Sequence, residues 1–197
     1  MIIYKAIRAI FEHKKGFNIN SLMGNVNVNV GCGNKPLDGF INTDYYNKKY
    51  ADKIFDLAVE FPFDRESIDL IYADNVFEHL PNIIDVIDRC YEALKPGGAM
   101  VLLVPYFKSK HAFVDPTHLR FFTIQTLDYF VQGTYFNTQY KFNDRNFRRM
   151  SIFLDPNNCS LIRNIFAAYA IMRPNYFENS ILSNIVVFHN ILFVLEK

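Results

Sequence analysis

The chain has little that would commit it to the cell exterior, to a membrane or to nucleic acid. Its 197 residues include only three cysteines, Cys32, Cys90 and Cys159, odd in number and widely spaced. They make neither a zinc-ligand pattern nor a disulfide framework, so a reducing, cytoplasmic setting is expected. Neither sign of charge is in excess: 21 basic and 20 acidic residues leave a net charge of +1. No electrostatic footprint for an obligatory nucleic-acid partner is present. No run of 18 apolar residues occurs, so stable membrane insertion is not expected. Met1 to Phe17 places Ile3, Ile7, Ile10 and Phe11 at helical spacing, with Lys5, Arg8, Lys14 and Lys15 between them. No uninterrupted apolar stretch follows a charged start, so this is not a signal peptide. A helix over residues 1–20 is expected, packed on the domain or closing over a ligand. Repeats, low-complexity tracts and linkers are absent. Residues 1–197 are therefore expected to form one domain, possible as an oligomer, with half its residues hydrophobic to build a core.

A dinucleotide fingerprint is missing too, although its beginning is there. Val26-Asn27-Val28-Asn29-Val30 alternates at period two and runs into Gly31-Cys32-Gly33. Alternation predicts a strand, and glycines at its end let the backbone approach a ligand. The third glycine of G-x-G-x-x-G is replaced by Pro36, and Asn34 to Gly39 is too short and broken for a helix. Pyrophosphate would have no helix N-terminus to sit on. Asp44 stands eleven residues after Gly33, at the end of the apolar run Phe40-Ile41-Asn42-Thr43. A carboxylate there can accept both hydrogen bonds of a ribose diol. The combination points to a nucleoside ligand without phosphates. It also requires an unusually tight crossover, since parallel strands are commonly joined by a dozen or more residues.

Strands and helices then alternate. Further strands are predicted at Ile54–Leu57, Asp69–Ala73 and Ala99–Val104. A helix expected from Pro81 to Leu94 places Ile83, Ile84, Ile87, Cys90, Tyr91 and Leu94 on one face and stops at Lys95-Pro96-Gly97-Gly98. This order predicts an α/β, Rossmann-like, doubly wound and mostly parallel sheet with helices on both faces. Residues 25–105 are expected to form its ligand-binding half, with residues 106–197 completing the fold on the other side of the cleft. In the second half, Tyr106 to Arg120 reads as a loop, Ile124 to Val131 as a helix capped by Thr123, and Phe147 to Leu154 as a strand. Leu161 to Met172 reads as a helix, Arg173 to Asn179 as a loop, and Ile191 to Leu195 as an antiparallel C-terminal strand.

Five segments, in this order, resemble class I S-adenosylmethionine-dependent methyltransferases, in particular a small single-domain branch. They are Val30-Gly31-Cys32-Gly33, Gly39-Phe40-Ile41-Asn42-Thr43-Asp44, Asp56-Leu57 with Phe61-Pro62-Phe63, Glu78-His79-Leu80, and Lys95-Pro96-Gly97-Gly98. The resemblance covers about Val26 to Phe130. It implies that Gly31, Cys32 and Gly33 pass beneath the methionine part of S-adenosylmethionine. Asp44 would take the ribose hydroxyls and Tyr45 would lie beside the adenine face. Asp56 and Leu57 would meet the adenine edge, and Asp74, Asn75 and Val76 would border the sulfonium. Asn29 stands where the family often carries an acidic residue. Such a cofactor presents a ribose, a base, a zwitterion and a sulfonium but no phosphate, in keeping with the residues themselves.

For the acceptor, the richest polar cluster is His111-Ala112-Phe113-Val114-Asp115-Pro116-Thr117-His118-Leu119-Arg120. It follows a central strand, so it belongs at the carboxyl edge of the sheet where open α/β folds bind ligands. His118 or His111 could remove a hydroxyl proton near neutral pH, Asp115 could orient that histidine, and Arg120 could hold an anion. A metal site made of His111, Asp115 and His118 is not expected, because Pro116 breaks the helix that would align them. His79 reads as a structural histidine bonded to backbone. The expected activity is methyl transfer to a small-molecule hydroxyl, such as that of a sugar or glycan precursor. A carbon-methylating enzyme for a quinone or lipid precursor is the nearest alternative. A non-catalytic cofactor-binding subunit and a nicotinamide-dependent oxidoreductase stand outside that class.

Overall fold

A computed structural model describes residues 17–140, 145–156 and 160–197. The helix expected over residues 1–20 lies largely outside them, and Ile19–Ser21 forms a 3-10 turn. Cys159 is outside them as well. The strands are β1 (Asn27–Val30), β2 (Ile41–Asp44), β3 (Lys53–Ile54), β4 (Ile68–Asp74), β5 (Leu94–Pro105), β6 (Arg149–Leu154) and β7 (Asn190–Glu196). They form one sheet in the order β3-β2-β1-β4-β5-β7-β6. The first five are mutually parallel, and β7 runs antiparallel to both β5 and β6.

Strand order reverses between β1 and β4, so the two carboxyl ends splay there and open a crevice. The central strands β4, β5 and β7 put apolar side chains on both faces, as a covered sheet requires. Ile68, Ile71, Met100 and Leu102 point into the larger core with Ile87, Cys90 and Ala93 of the helix Ile83–Ala93, and with Ala167 and Ala170 of the helix Leu161–Met172. Leu70, Ala99, Val101, Leu192 and Val194 point the other way, under Phe17, Ile19, Leu22 and Met23. Asp69 ties the layers at their lower edge: its Oδ2 accepts from the Val26 N–H at 2.8 Å and from Lys95 Nζ at 2.8 Å.

The tight crossover is real. Residues 31–40 join β1 to β2 in parallel with no helix between them. Buried asparagines supply the hydrogen bonds that a helix would have supplied internally. Asn42 Oδ1 accepts from the Leu37 N–H (2.7 Å) and from Asn29 Nδ2 (2.9 Å), and its own amide donates to the Leu37 and Phe40 carbonyls. Asn27 Nδ2 donates to the Gly24 and Gly39 carbonyls. The asparagines of the alternating strand are therefore not a solvated face: Asn27 and Asn29 are buried like the valines beside them. They satisfy loop backbone that would otherwise be buried unpaired.

Four local expectations change. The strand expected over Ile54–Leu57 is only Lys53–Ile54, because the chain then turns inward to bury Phe55 and Leu57. The helix expected over Ile124–Val131 is a series of turns ending in a 3-10 turn, Asp128–Phe130. Its buried residues Ile124, Leu127 and Phe130 recur every third position, which is the 3-10 period. The Arg173–Asn179 segment is not a loop but contains the helix Pro174–Glu178, with proline in its first turn. The Tyr106–Arg120 loop holds one helical turn, His111–Val114.

Candidate active site

The carboxyl end of β1 turns sharply through Gly31 (φ +65°) and Gly33 (φ +51°), backbone angles that L side chains rarely adopt. The end of β4 comes alongside through Asp74, Asn75 and Val76. Asn75 also has positive φ (+54°), which a short amide side chain tolerates best among non-glycine residues. Gly31 and Asn75 form a saddle between two clefts and line both of them.

The smaller cleft, about 320 Å³, is walled by Asn29, Cys32, Gly33, Lys35, Tyr72 and Asp74 among others. Lys35 Nζ reaches Asp74 Oδ2 at 4.0 Å, which puts one cation and one anion at its mouth. The Asn29 amide faces loop backbone and Asn42, so no carboxylate stands at this position. Cys32 is buried, and burial together with the charges of Asp44 and Asp52 pushes its thiol up. It acts here as a small apolar group rather than a nucleophile.

The larger cleft, about 630 Å³, is lined by Asp44, Tyr45, Asp56, Leu57, Val76 and His79 among others. Asp44 faces the glycine bend: its Oδ2 accepts from the Gly33 N–H at 2.9 Å, and its Oδ1 accepts from the N–H groups of Tyr46 (2.8 Å) and Asn47 (2.9 Å). Burial pushes this carboxyl up, but the N–H groups of Asn47, Gly33, Tyr46 and Tyr45 outweigh it and hold the pKa below the ordinary range. It is a committed carboxylate at neutral pH. Tyr45 is half exposed and lies edge-on to Tyr46, with ring centroids 4.1 Å apart. Asp56 Oδ1 accepts from the Ala58 N–H at 2.8 Å. The Leu57 and Ala58 carbonyls accept from Arg89, which fixes this wall against the helix Ile83–Ala93.

The polar residues of His111 to Arg120 divide. His111 is exposed, packs against His189 and lines neither cleft. Arg120 bonds the Pro81 carbonyl with its guanidinium rather than standing free for an anion. His118 is folded behind the cleft wall, its side chain only 7% exposed. Asp115 does not bond His118. Its Oδ1 accepts from the Thr117 N–H and the Thr117 hydroxyl, and that hydroxyl meets His79 Nδ1 at 2.9 Å. His79 thus bonds a side chain, not backbone, and with Thr117 it lines the cleft.

A cluster not expected from the sequence results. The Leu119 and Arg120 N–H groups donate to the Glu78 carbonyl and pin the Thr117–Arg120 segment onto the 3-10 turn Phe77–His79. The His79 and His118 rings meet edge-on at 4.7 Å. Glu78 is buried beside them at 1% exposure, and among the described residues neither carboxylate oxygen has a hydrogen-bond partner. Burial pushes this carboxyl up to about 7, against the opposing pull of its own backbone N–H and of His118. Glu78-His79 and Thr117-His118 were both visible as polar pairs, but no spacing signal links residues about forty apart.

Comparison with known proteins bears on this arrangement. Residues 29–102 match the methyltransferase domain family. A curated relative, trans-aconitate 2-methyltransferase of Rhizobium rhizogenes, is 36% identical over 64 residues. The match spans 32% of this chain and 22% of that protein. Among solved structures, a SAM-dependent methyltransferase from Archaeoglobus fulgidus superposes with a TM-score of 0.55 at 17% identity, over 99% of this chain and 93% of that one. A Haemonchus contortus phosphoethanolamine N-methyltransferase 2, solved with phosphomonomethylethanolamine and S-adenosylhomocysteine, superposes with a TM-score of 0.51 at 12% identity, over 95% of this chain and 51% of that one. The sheet, with its inserted antiparallel β7, is the Rossmann-like methyltransferase fold.

Proposed function

We propose that this chain, built on a methyltransferase fold, is an S-adenosylmethionine-dependent methyltransferase that methylates a hydroxyl of a small molecule. One observation carries the reading: a committed carboxylate, Asp44, faces a glycine bend at the sheet's switch point, and no helix N-terminus follows that bend. A phosphate-bearing dinucleotide has nothing to sit on there, whereas a nucleoside ending in a zwitterion matches both clefts. In this reading the ribose lies against Asp44, the adenine between Tyr45 and the Asp56-Leu57 wall, and the methionine part crosses Gly31 and Gly33 toward Lys35 and Asp74. The sulfonium then sits over the saddle beside Asn75 and Val76. Residues 25–105 hold the cofactor, and the wall His79, Leu80, Pro81 and Thr117 receives the acceptor.

The transfer itself is an in-line displacement. An acceptor oxygen lone pair forms the new C–O bond as the methyl C–S bond breaks, and the departing electron pair stays on sulfur, which becomes a neutral thioether. The hydroxyl proton leaves to the solvent in the cleft, which His79 borders. Alignment at attack distance contributes about 7–11 kcal/mol, and assistance to the proton contributes roughly 10²–10⁴-fold. His118 belongs to this machinery through its cluster with Glu78 and His79, and Asp115 supports His79 through Thr117. His111 has no part in it. A sugar or glycan-precursor hydroxyl suits a wall that offers His79 and Thr117 on a protein without excess charge. A cytoplasmic setting is part of the proposal; among the described residues no helix is long and apolar enough to cross a membrane.

Thermal shift tests the reading. S-adenosylmethionine and S-adenosylhomocysteine at 100 times Kd are expected to stabilise the protein by about 2.7 kcal/mol, an increase in Tm of roughly 5–10 °C for a chain of this size. NAD is expected to give none. Stabilisation by NAD alone would turn the reading toward an oxidoreductase. Cofactor binding without methyl turnover on any hydroxylated acceptor would leave a non-catalytic binding subunit.

A further inference from the structure

We propose that Glu78, His79 and His118 form a binding site for one first-row divalent transition-metal cation, open toward the acceptor side of the larger cleft. One ligand atom from each of these residues lies within 4.8 Å of the other two. Glu78 Oε1 and His118 Nε2 are 4.0 Å apart. That gap is too long for a hydrogen bond and fits within twice a metal–ligand length of about 2.1 Å. The Glu78 carboxylate is buried, and among the described residues neither oxygen has a hydrogen-bond partner, an arrangement that costs free energy unless something positive and compact satisfies it.

The neighbours of the two imidazoles set which nitrogen is free. His118 Nδ1 lies 3.0 Å from the Ala112 carbonyl, which can only accept, so Nδ1 carries the proton and Nε2 keeps its lone pair. The Thr117 hydroxyl donates to Asp115 Oδ1 at 2.7 Å, so toward His79 Nδ1 it must accept, and Nδ1 again carries the proton. Both histidines therefore present Nε2 as a ligand, each oriented from behind by a hydrogen bond, as metal-binding imidazoles are. Two imidazoles and one carboxylate suit Mn²⁺, Co²⁺, Fe²⁺ or Zn²⁺ better than Mg²⁺ or Ca²⁺, which prefer an all-oxygen shell.

The role of the cation rests on the methyltransferase reading; its binding does not. Glu78 and His118 lie behind the wall, and His79 lines the cleft, so the unfilled coordination positions face the acceptor. A cation held by Glu78, His79 and His118 would lower the pKa of an acceptor hydroxyl beside it and so ease loss of its proton to solvent. The site then selects acceptors that can offer the metal an oxygen ligand, and favours vicinal hydroxyls that can offer two.

The test is calorimetric titration of Mn²⁺ and Zn²⁺ into the metal-stripped full chain, with Co²⁺ absorption reporting nitrogen ligation. One ion per chain is expected. Glu78→Gln and His118→Ala should each weaken binding by more than about 100-fold, and Thr117→Val, an exposed and structurally mild change, by about 10–100-fold. Absence of uptake of any of these ions by the wild-type chain would overturn the proposal, as would uptake unaffected by Thr117→Val and His118→Ala. S-adenosylhomocysteine titrated into the same stripped protein separates the two ideas. Its binding without metal uptake sinks only the metal site; metal uptake without its binding sinks only the methyltransferase reading.

Discussion

Gly31→Ala is expected to lower the Tm by on the order of 10 °C and to abolish measurable S-adenosylhomocysteine binding. A Cβ added at Gly31 would stand 2.4 Å from Val76 Cγ2, well inside contact distance, on a backbone with φ +65°. The left-handed conformation costs an alanine about 1–2 kcal/mol, and forcing a β-branched neighbour from its rotamer costs about 1–3 kcal/mol more. For a chain of this length roughly 2–4 °C of Tm goes with each kcal/mol. Val76 packs on the core and lines the larger cleft, so the relief available to it lies toward the ligand. Adding Val76→Ala should restore the crowding part of the loss and leave the backbone part. Differential scanning calorimetry and a titration of the same samples check both. A Tm within 2 °C of wild type, with affinity unchanged, would show that this bend neither strains nor binds as described.

Asp44→Ala is expected to weaken S-adenosylhomocysteine binding by roughly 100-fold, about 2.7 kcal/mol. Two charge-assisted hydrogen bonds to a ribose diol are lost, each of the size a charged acceptor gives. The structure adds a second consequence. The same carboxylate braces the N–H groups of Gly33, Tyr46 and Asn47, so the variant should also lose about 1–2 kcal/mol of stability in urea. Isothermal titration after confirming a folded protein separates the two effects. Affinity within threefold of wild type would refute the ribose assignment.

Much of the fold over residues 25–105 could be read from local signals. Val26 to Gly33 shows strand alternation ending in glycines that have no Cβ, and both features act within a few residues. Asp44 could be placed because the short crossover fixes how far β2 lies from β1. Lys95-Pro96-Gly97-Gly98 reads as a stop between helix and strand, yet β5 begins at Leu94, directly after the helix, and runs through those glycines with an irregular register. Propensity is weak where tertiary packing decides. Ile54 to Leu57 has strand composition, but Phe55 and Leu57 bury themselves on a turn. Ile124 to Val131 has a helix-like apolar pattern, but its three-residue repeat packs as 3-10 turns.

The segment after β5 was least legible, for a physical reason. Its key arrangement depends on two backbone N–H groups, at Leu119 and Arg120, landing on one carbonyl at Glu78. That contact carries His118 to Glu78 and passes Asp115's support to His79 instead. Side-chain type alone suggested a base, an orienting acid and an anion clamp within ten residues. The fold instead shares those residues with a turn some forty positions earlier. The role of Asn29 was hidden likewise: it looked like a missing carboxylate and is a hydrogen-bond donor to the crossover.

A crystal structure with S-adenosylhomocysteine bound asks most directly whether the glycine bend and Asp44 frame a phosphate-free nucleoside. The ribose oxygens should lie within hydrogen-bond distance of the Asp44 carboxylate, with the adenine against Tyr45 and Leu57 and the homocysteine crossing Gly31 and Gly33 toward Lys35. Electron density for the ligand elsewhere, or a ribose turned away from Asp44, would contradict that reading and take the proposed activity with it.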